Sequence, residues 1–333
     1  MTNALDLHRS TLTIDTHIDI PFPDGPNFLE ETKRNVDLPK MRRGHMAAGV
    51  FIAYVGQGPR TPERNEAGFQ RAIAMLETIK GMAQQGARHC TTSAAIEAAW
   101  ADRATIIIPA VENGQALGGD VARMQAFRDL GATYLTLTHF GHNALGDSSN
   151  PRRDLNDPEE EHGGLSDMGR RAVVELNRVG MLVDIAHTSK KTMLQAAGLS
   201  RTPVLSTHSC IKAICDNARN LDDEQLDALR DVGGVVQVTA VPSFLKKDGK
   251  IETVTVSDYA DHVDYAVKRI GVEHVGLSSD FDGGGGFTGW RDASETMNVT
   301  AELVRRGYGK REIDLRWGGN FLRLLKLAEK RAG

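Results

Sequence analysis

The sequence predicts an α/β protein, a (β/α)8 TIM-type barrel with extended loops and a C-terminal helix, and three observations favour this fold. Short apolar, β-branched segments alternate along the 333 residues with segments whose apolar residues have helical spacing. The strand-like segments are apolar almost throughout, which is typical of strands buried on both faces of a parallel sheet. We count eight of them, and eight such β-then-α units fit a closed barrel better than an open sheet.

The eight predicted strands have the length expected of barrel strands, and every one is followed by a segment that reads as a loop or a helix. In chain order they span residues 11–19, 49–56, 105–113, 132–139, 181–187, 203–209, 234–241 and 274–280. The order strand, helix, strand is kept along the whole chain, so we expect one metallohydrolase domain covering residues 1–333.

The clearest predicted helices are amphipathic segments at residues 168–179, 222–232 and 257–270, the last two opening with acidic or serine caps. A final helix at 313–330 is expected to close the barrel. Gly318 and Gly319 within it allow either a close approach to a neighbour or a break near Asn320. The residues beyond a typical barrel are assigned to extensions and loops, notably 21–44, 58–93 and 141–164.

Composition excludes several classes of protein. Lys and Arg number 40 and Asp and Glu 44, so a formal net charge of −4 gives no electrostatic reason to expect nucleic acid or an anionic membrane as a partner. Three scattered cysteines cannot form a disulfide framework. No secretory signal or run of ~20 apolar residues is visible. We therefore expect a cytoplasmic enzyme with a small-molecule substrate, and a homodimer is left open.

The chemistry is expected where the strands end, because the active site of such a barrel is built at the C-terminal ends of its strands. Six of the eight predicted strands end in a side chain able to bind metal or exchange protons. These residues are His17 and Asp19, Glu112, His139, His187, His208 and Asp280. One such residue alone is more often a hydrogen-bonded core residue or a solvated strand end. Six at one rim are difficult to explain as packing, because unpaired ionisable groups are costly to bury.

The pattern suits two zinc ions. His17 and Asp19 are two residues apart, so on a strand they share one face with Cα atoms ~7 Å apart. His187 and His208 follow adjacent predicted strands and offer imidazole ligands. With Glu112 there are five ligands, one too many for a single tetrahedral zinc that keeps a position for water. A carboxylate at Glu112 can bridge two ions ~3.5 to 4 Å apart, with His17 and Asp19 on one and His187 and His208 on the other.

A water shared by two cations would be a strong nucleophile at neutral pH, which points to hydrolysis. Asp280 is the unassigned carboxylate available for proton transfer, although it also suits a turn. His139 could hydrogen-bond the oxygen of the attacked carbonyl as charge develops there. Arg219, in the loop after the sixth predicted strand, could hold a substrate carboxylate, although most single arginines are surface residues. His142, close by in sequence to His139, could also touch substrate.

Eight short motifs occur in the order in which one known family carries them. They are DTHID at 15–19, VENG at 111–114, TLTH at 136–139, DIAH at 184–187, STHS at 206–209, ARN at 218–220, GLSSDFDG at 276–283 and WGGNF at 317–321. Together they cover nearly the whole chain. In these motifs the sequence resembles the membrane (renal) dipeptidase family of the amidohydrolase superfamily.

The resemblance implies a (β/α)8 barrel with two zinc ions that cleaves dipeptides to free amino acids. The residues that match the family's metal ligands are His17, Asp19, Glu112, His187 and His208. Glu112 matches the carboxylate that bridges the two ions. Those matching its substrate-binding or proton-transferring residues are His139, Arg219 and Asp280. Family members often accept a D-residue at the C-terminal position, so L-Xaa-D-Xaa dipeptides are implied as substrates.

The sequence also departs from the family. Asn113 stands where a glycine is common, and the loop that starts at Phe140 differs, which leaves the preference for substrate side chains open. The absence of a signal or anchor segment makes the chain similar to the soluble bacterial branch rather than to the lipid-anchored mammalian members.

Two other hypotheses stay open at this point. The first is another hydrolase of the same superfamily, acting on an N-acyl amino acid, cyclic amide, lactone or phosphotriester. Several such relatives carry His-x-His on the first strand or a carboxylated lysine on the fourth, whereas this chain has His17-x-Asp19 and His139. The second is a metal- or peptide-binding protein without turnover. Asp280 and His139 argue against it, because binding alone needs no acid or base.

Overall fold

Parallel strands form a single sheet in the computed structural model, which describes residues 4–333. The first three residues of the expected single domain lie outside the described part. The strands are β1 (Ile14–Asp19), β2 (Ala48–Tyr54), β3 (Ala87–His89), β4 (Thr105–Glu112), β5 (Tyr134–Thr136), β6 (Leu182–Asp184), β7 (Leu205–Ser209), β8 (Val235–Val238) and β9 (Val275–Leu277). Eight of them are hydrogen-bonded in the order β1-β2-β4-β5-β6-β7-β8-β9, and β3 pairs with β4 outside this path.

The ring closes between its first and last strands. The backbone N–H of Asp280 donates to the carbonyl of His17 at 3.1 Å, and the N–H of Asp19 donates to the carbonyl of Phe281 at 3.0 Å. These two bonds join the end of β1 to the segment that directly follows β9. The predicted (β/α)8 barrel is therefore confirmed, and its carboxyl-terminal strand ends meet at one rim.

Helices surround the barrel and occupy most of the connections. They are α1 (Ala4–Arg9), α2 (Leu38–Arg43), α3 (Pro62–Gly81), α4 (Ser93–Ala101), α5 (Met124–Asp129), α6 (Asp167–Val179), α7 (Lys190–Leu199), α8 (Asp223–Asp231), α9 (Pro242–Leu245), α10 (Val256–Ile270), α11 (Met297–Arg305), α12 (Lys310–Asp314) and α13 (Asn320–Lys330). The helices predicted at 168–179, 222–232 and 257–270 are α6, α8 and α10. Within residues 4–333, no helix is long and apolar enough to pass through a lipid bilayer.

The prediction of an extension or loop over residues 58–93 was wrong, because this segment holds α3 and β3. Thr61 caps the helix by accepting a hydrogen bond from the backbone N–H of Arg64. The buried side chains of its second half lie at Ala72, Met75, Leu76 and Ile79, the spacing of one helical face. The helix therefore packs on β2 and β4 as a regular barrel helix.

The predicted final helix extends from α12 to α13 without a break, because residues Leu315–Gly319 join them as a π-helical segment. A Cβ atom on Gly318 would lie 2.4 Å from the backbone oxygen of Leu12. Of the two alternatives for the glycines, the close approach is therefore the correct one.

Three barrel strands end earlier than predicted, and this places catalytic candidates on turns rather than on strands. His139, His187 and Asp280 each lie three residues beyond the end of β5, β6 and β9. His187 has φ 64° and Asp280 has φ 59°. Residues other than glycine adopt this left-handed conformation uncommonly, and strained backbone of this kind clusters at active sites.

Candidate active site

A cavity of about 520 Å³ opens at the carboxyl-terminal rim of the barrel. Eight of the nine candidate residues singled out in the sequence line it: His17, Asp19, Glu112, His139, His187, His208, Arg219 and Asp280. These residues come from six different strand ends and one loop. The barrel topology therefore brings together side chains that are far apart in the chain.

The carboxylate of Glu112 lies at the centre of this cavity and is almost completely buried. Its Oε2 is 3.5 Å from Nε2 of His17. Its Oε1 is 3.4 Å from Nε2 of His187 and 3.5 Å from Nε2 of His208. One carboxylate oxygen thus faces the imidazole from β1, and the other faces the two imidazoles that follow β6 and end β7.

These distances fit ligands of a shared metal ion better than hydrogen bonds. Good N–H···O hydrogen bonds measure ~2.7 to 3.2 Å, whereas two ligands of a tetrahedral zinc with bonds of ~2.1 Å lie about 3.4 Å apart. Oε1 of Glu112 also has no hydrogen-bond partner among the described residues. The donor set, three imidazoles and two carboxylates including Asp19, is one that zinc accepts.

Two of the imidazoles are held so that Nε2 faces Glu112 and is the nitrogen that carries the lone pair when the ring is neutral. Nδ1 of His208 lies 2.8 Å from the hydroxyl of Thr207, which itself donates to the buried carboxylate of Asp184 at 2.7 Å. Nδ1 of His17 lies 3.2 Å from the hydroxyl of Tyr134, which donates to a backbone carbonyl of β1. In each case the hydroxyl hydrogen is already used, so Nδ1 must be the protonated nitrogen, as in many metal-binding histidines.

Burial and charge set the protonation states at the rim. Burial lowers the pKa of His187 and His208 well below the usual value, which keeps both imidazoles neutral. Burial alone would also lower the pKa of His17, but the negative charge of Glu112, Asp280 and Asp19 raises it to about 10. The carboxylates around His17 therefore create a strongly negative potential, which keeps a proton on Nε2 until a bound cation takes the place of that proton.

Asp19 and Asp280 lie close together on the side of the cavity formed by β1 and the end of β9. One ligand atom of each, with one of His17, lie within 4.8 Å of one another. Burial, reinforced by the charges of Asp19 and Glu112, raises the pKa of Asp280 well above its usual value against the opposing effect of His17. A Cβ atom at Gly283 would lie 2.1 Å from Oδ2 of Asp19 and 2.4 Å from Oδ1 of Asp280, so only glycine leaves room for both carboxylates.

His139 and Arg219 complete the polar lining. Nδ1 of His139 is 3.3 Å from the hydroxyl of Tyr54, and burial lowers the pKa of His139 to about 4. Arg219 is buried and donates from its guanidinium to the backbone oxygen of His208 at 3.1 Å. Its Nε has no hydrogen-bond partner within the described part of the chain. The neutral imidazole of His139 and the charged guanidinium of Arg219, which has one N–H without a partner among the described residues, therefore line the same cavity.

The structure adds residues that the sequence analysis missed, and removes one. Arg34 donates to the backbone oxygen of Asp19 at 3.0 Å and lies 3.2 Å from a carboxylate oxygen of Asp282, which connects the loop after β1 to the motif after β9. Tyr54 lies at the end of β2 and faces His139. The expectation that His142 touches substrate was wrong, because its ring is buried and both of its nitrogens bind backbone groups.

Similarity to known proteins extends over the whole chain. The family model described as membrane dipeptidase (peptidase family M19) matches residues 1–333. Dipeptidase aclJ of Aspergillus oryzae (strain ATCC 42149 / RIB 40) is 31% identical over 313 residues, which cover 90% of this chain and 72% of that protein.

Two solved bacterial structures have the same fold. The probable dipeptidase PvdM from Pseudomonas aeruginosa superposes with a TM-score of 0.93 at 27% identity, over 99% of this chain and 98% of that one. A metallo peptidase from Rhodobacter sphaeroides, liganded with a phosphinate mimic of the dipeptide L-Ala-D-Ala, superposes with a TM-score of 0.82 at 25% identity, over 96% of this chain and 100% of that one.

Proposed function

Because this chain belongs to the membrane dipeptidase family, peptidase family M19, and is a metallopeptidase that hydrolyses dipeptides, we propose that it works with two zinc ions at the rim of its barrel. The observation that carries this proposal is the buried Glu112 carboxylate with imidazole nitrogens 3.4 to 3.5 Å from both of its oxygens. We further propose that residues 1–333 act as one catalytic domain.

In this proposal Glu112 would bridge the ions. His17 and Asp19 would hold one ion, and His187 and His208 would hold the other. The paired hydroxyls that fix the Nδ1–H form of His17 and His208 support the assignment, because they leave both Nε2 lone pairs free. When bound, the two ions would activate a water molecule and polarise the carbonyl of the scissile bond.

The remaining residues bind the dipeptide and move protons. Arg219 binds the C-terminal carboxylate through its guanidinium, whose Nε has no hydrogen-bond partner among the described residues. If the Tyr54 hydroxyl donates to Nδ1 of His139, Nε2–H of this neutral ring donates to the carbonyl oxygen as negative charge develops there. Asp280 accepts a proton from the attacking water and returns it to the amide nitrogen, so that the C–N bond breaks and a free amine leaves.

L-Xaa-D-Xaa dipeptides are included among the proposed substrates. The support is indirect: the Rhodobacter sphaeroides relative, 25% identical over 96% of this chain, was solved with a mimic of L-Ala-D-Ala. Among the described residues, no contact in the cavity distinguishes an L-residue from a D-residue at the C-terminal position of the substrate.

The proposal is tested by metal analysis combined with a substrate screen. The purified protein is expected to carry about two zinc equivalents per chain and to hydrolyse a library of L,L and L,D dipeptides. N-acyl amino acids serve as the comparison, because they offer Arg219 the same carboxylate but lack the free amine of a dipeptide. Active protein with one zinc ion or none would contradict the two-metal site, and faster cleavage of N-acyl amino acids would favour the alternative hydrolase.

Arg219→Ala is expected to lower kcat/KM for free dipeptides on the order of 100-fold, because it removes a charge-assisted hydrogen bond to the carboxylate. The same variant should change little with a C-terminally amidated dipeptide, which has no carboxylate to lose. Arg219→Lys, which keeps the positive charge, should have a kcat/KM for free dipeptides between those of the wild type and of Arg219→Ala. Equal losses on the free and the amidated substrate would show that Arg219 only supports the backbone of His208.

A further inference from the structure

One aromatic side chain at the rim of the catalytic cavity is exposed and unused by the reaction. Among the described residues, four large apolar side chains are strongly exposed: Phe140, Val174, Ile214 and Ile251. Of these, Phe140, 40% exposed, lines the cavity that holds Glu112. Single exposed apolar residues are ordinary on a protein surface, so the position of Phe140 is what calls for an explanation.

Phe140 lies over two of the histidines. Its ring meets that of His139 edge-on at a centroid distance of 4.7 Å and that of His187 at 5.1 Å. The ring therefore borders the part of the cavity that His187 and His208 line, where the ring centroids of these two imidazoles lie 4.8 Å apart.

A second aromatic ring flanks the same half. The guanidinium of Arg219 lies 5.4 Å from the ring centroid of Phe244 and is bonded to the backbone of His208. The backbone oxygen of Phe244 accepts a hydrogen bond from the side chain of Asn220 at 2.8 Å, which fixes its position. Val241 also lines the cavity close by in sequence.

The opposite half of the cavity is polar. It contains the carboxylates of Asp19 and Asp280 together with His17, and Arg34 and Asp282 lie beside them. The proposed mechanism places the carboxylate of the dipeptide at Arg219. That end of the substrate then lies beside Phe244, whose ring centroid is 5.4 Å from the guanidinium. The C-terminal residue then occupies the half that carries Phe140 and Phe244.

We propose that Phe140 and Phe244 form an apolar subsite for the side chain of the substrate's C-terminal residue, so that the enzyme favours dipeptides with a large apolar residue there. This inference rests on the proposed function, because it needs the carboxylate to bind at Arg219. Packing a leucine or phenylalanine side chain between two rings removes apolar surface from water on both partners. It is expected to raise kcat/KM by about tenfold over glycine.

The test compares two series of dipeptides on the metal-loaded enzyme. In the first series the N-terminal residue is alanine and the C-terminal residue is glycine, alanine, leucine or phenylalanine, in both configurations where they exist. In the second, the same residues are varied at the N-terminus ahead of glycine. In the first series, the wild type should have a higher kcat/KM for dipeptides that end in leucine or phenylalanine than for Ala-Gly. Phe140→Ala should remove most of this preference while changing kcat/KM for Ala-Gly by less than about threefold, and Phe140→Leu should retain part of it.

Two further measurements separate a subsite from a structural role. Free leucine should inhibit the wild type more strongly than alanine, and this difference should shrink in Phe140→Ala without loss of bound zinc. Val174→Ala, which removes an exposed apolar side chain from α6, should leave both series unchanged.

The inference is overturned if Phe140→Ala lowers kcat/KM equally for every dipeptide or releases zinc, because Phe140 would then only support His187. It is also overturned if the apolar preference survives the substitution or appears in the N-terminal series. A wild type that cleaves none of the dipeptides would instead reject the proposed function.

Discussion

Glu112→Ala is expected to release both metal ions and to lower kcat/KM for dipeptides by more than about 1,000-fold. The substitution removes the one side chain whose two oxygens face imidazoles of both proposed ion sites. It also leaves the negative potential around His17 weaker, since Glu112 is the largest source of charge that raises the pKa of that residue. Zinc content after purification and steady-state kinetics on a good dipeptide substrate measure the two effects.

Glu112→Gln is the matched control, because it keeps the volume of the side chain and removes its charge. We expect it to bind zinc more weakly than the wild type and better than the alanine variant. Metal-depleted wild type should regain activity when zinc is added back, whereas Glu112→Ala should not. An alanine variant that keeps two zinc equivalents would refute the bridging role.

Asp280→Asn is expected to keep its zinc and to lose about 100- to 10,000-fold in kcat, the usual contribution of a general acid or base. The amide has the shape of the carboxyl group and cannot accept the proton of the attacking water. Because a general base must be deprotonated to act, the fall in kcat at low pH that belongs to Asp280 should disappear in the variant.

The competing role for Asp280 is that of a metal ligand, since it lies within 4.8 Å of ligand atoms of His17 and Asp19. Loss of zinc from Asp280→Asn would assign it that role. An unchanged kcat with a full zinc content would remove it from the mechanism altogether.

The rim of the barrel was predictable because parallel strands of a barrel all end on one side. Finding an ionisable residue at the end of six of the eight predicted strands was therefore enough to predict that Glu112, His17 and His208 lie together. The same rule would have found Tyr54 at the end of β2, had aromatic residues been considered along with metal-binding ones.

Other parts depend on contacts that no local pattern reveals. The first half of α3 is mostly polar and has little apolar periodicity, so the helical spacing of Met75, Leu76 and Ile79 in its second half was not recognised as part of a long helix. Strand β3 has three residues, too few for an alternating pattern, and it depends on its pairing with β4. Arg34 and Phe244 reach the cavity from connections whose path is set by tertiary packing. Their positions required the structure.

The hydrogen bonds between the end of β1 and the segment after β9 have a consequence for biosynthesis. They place Asp19, from near the start of the chain, beside Asp280, from near its end. A nascent polypeptide that has not reached residue 280 cannot join these two segments. Catalytic competence should therefore arise only after translation has passed the last barrel strand.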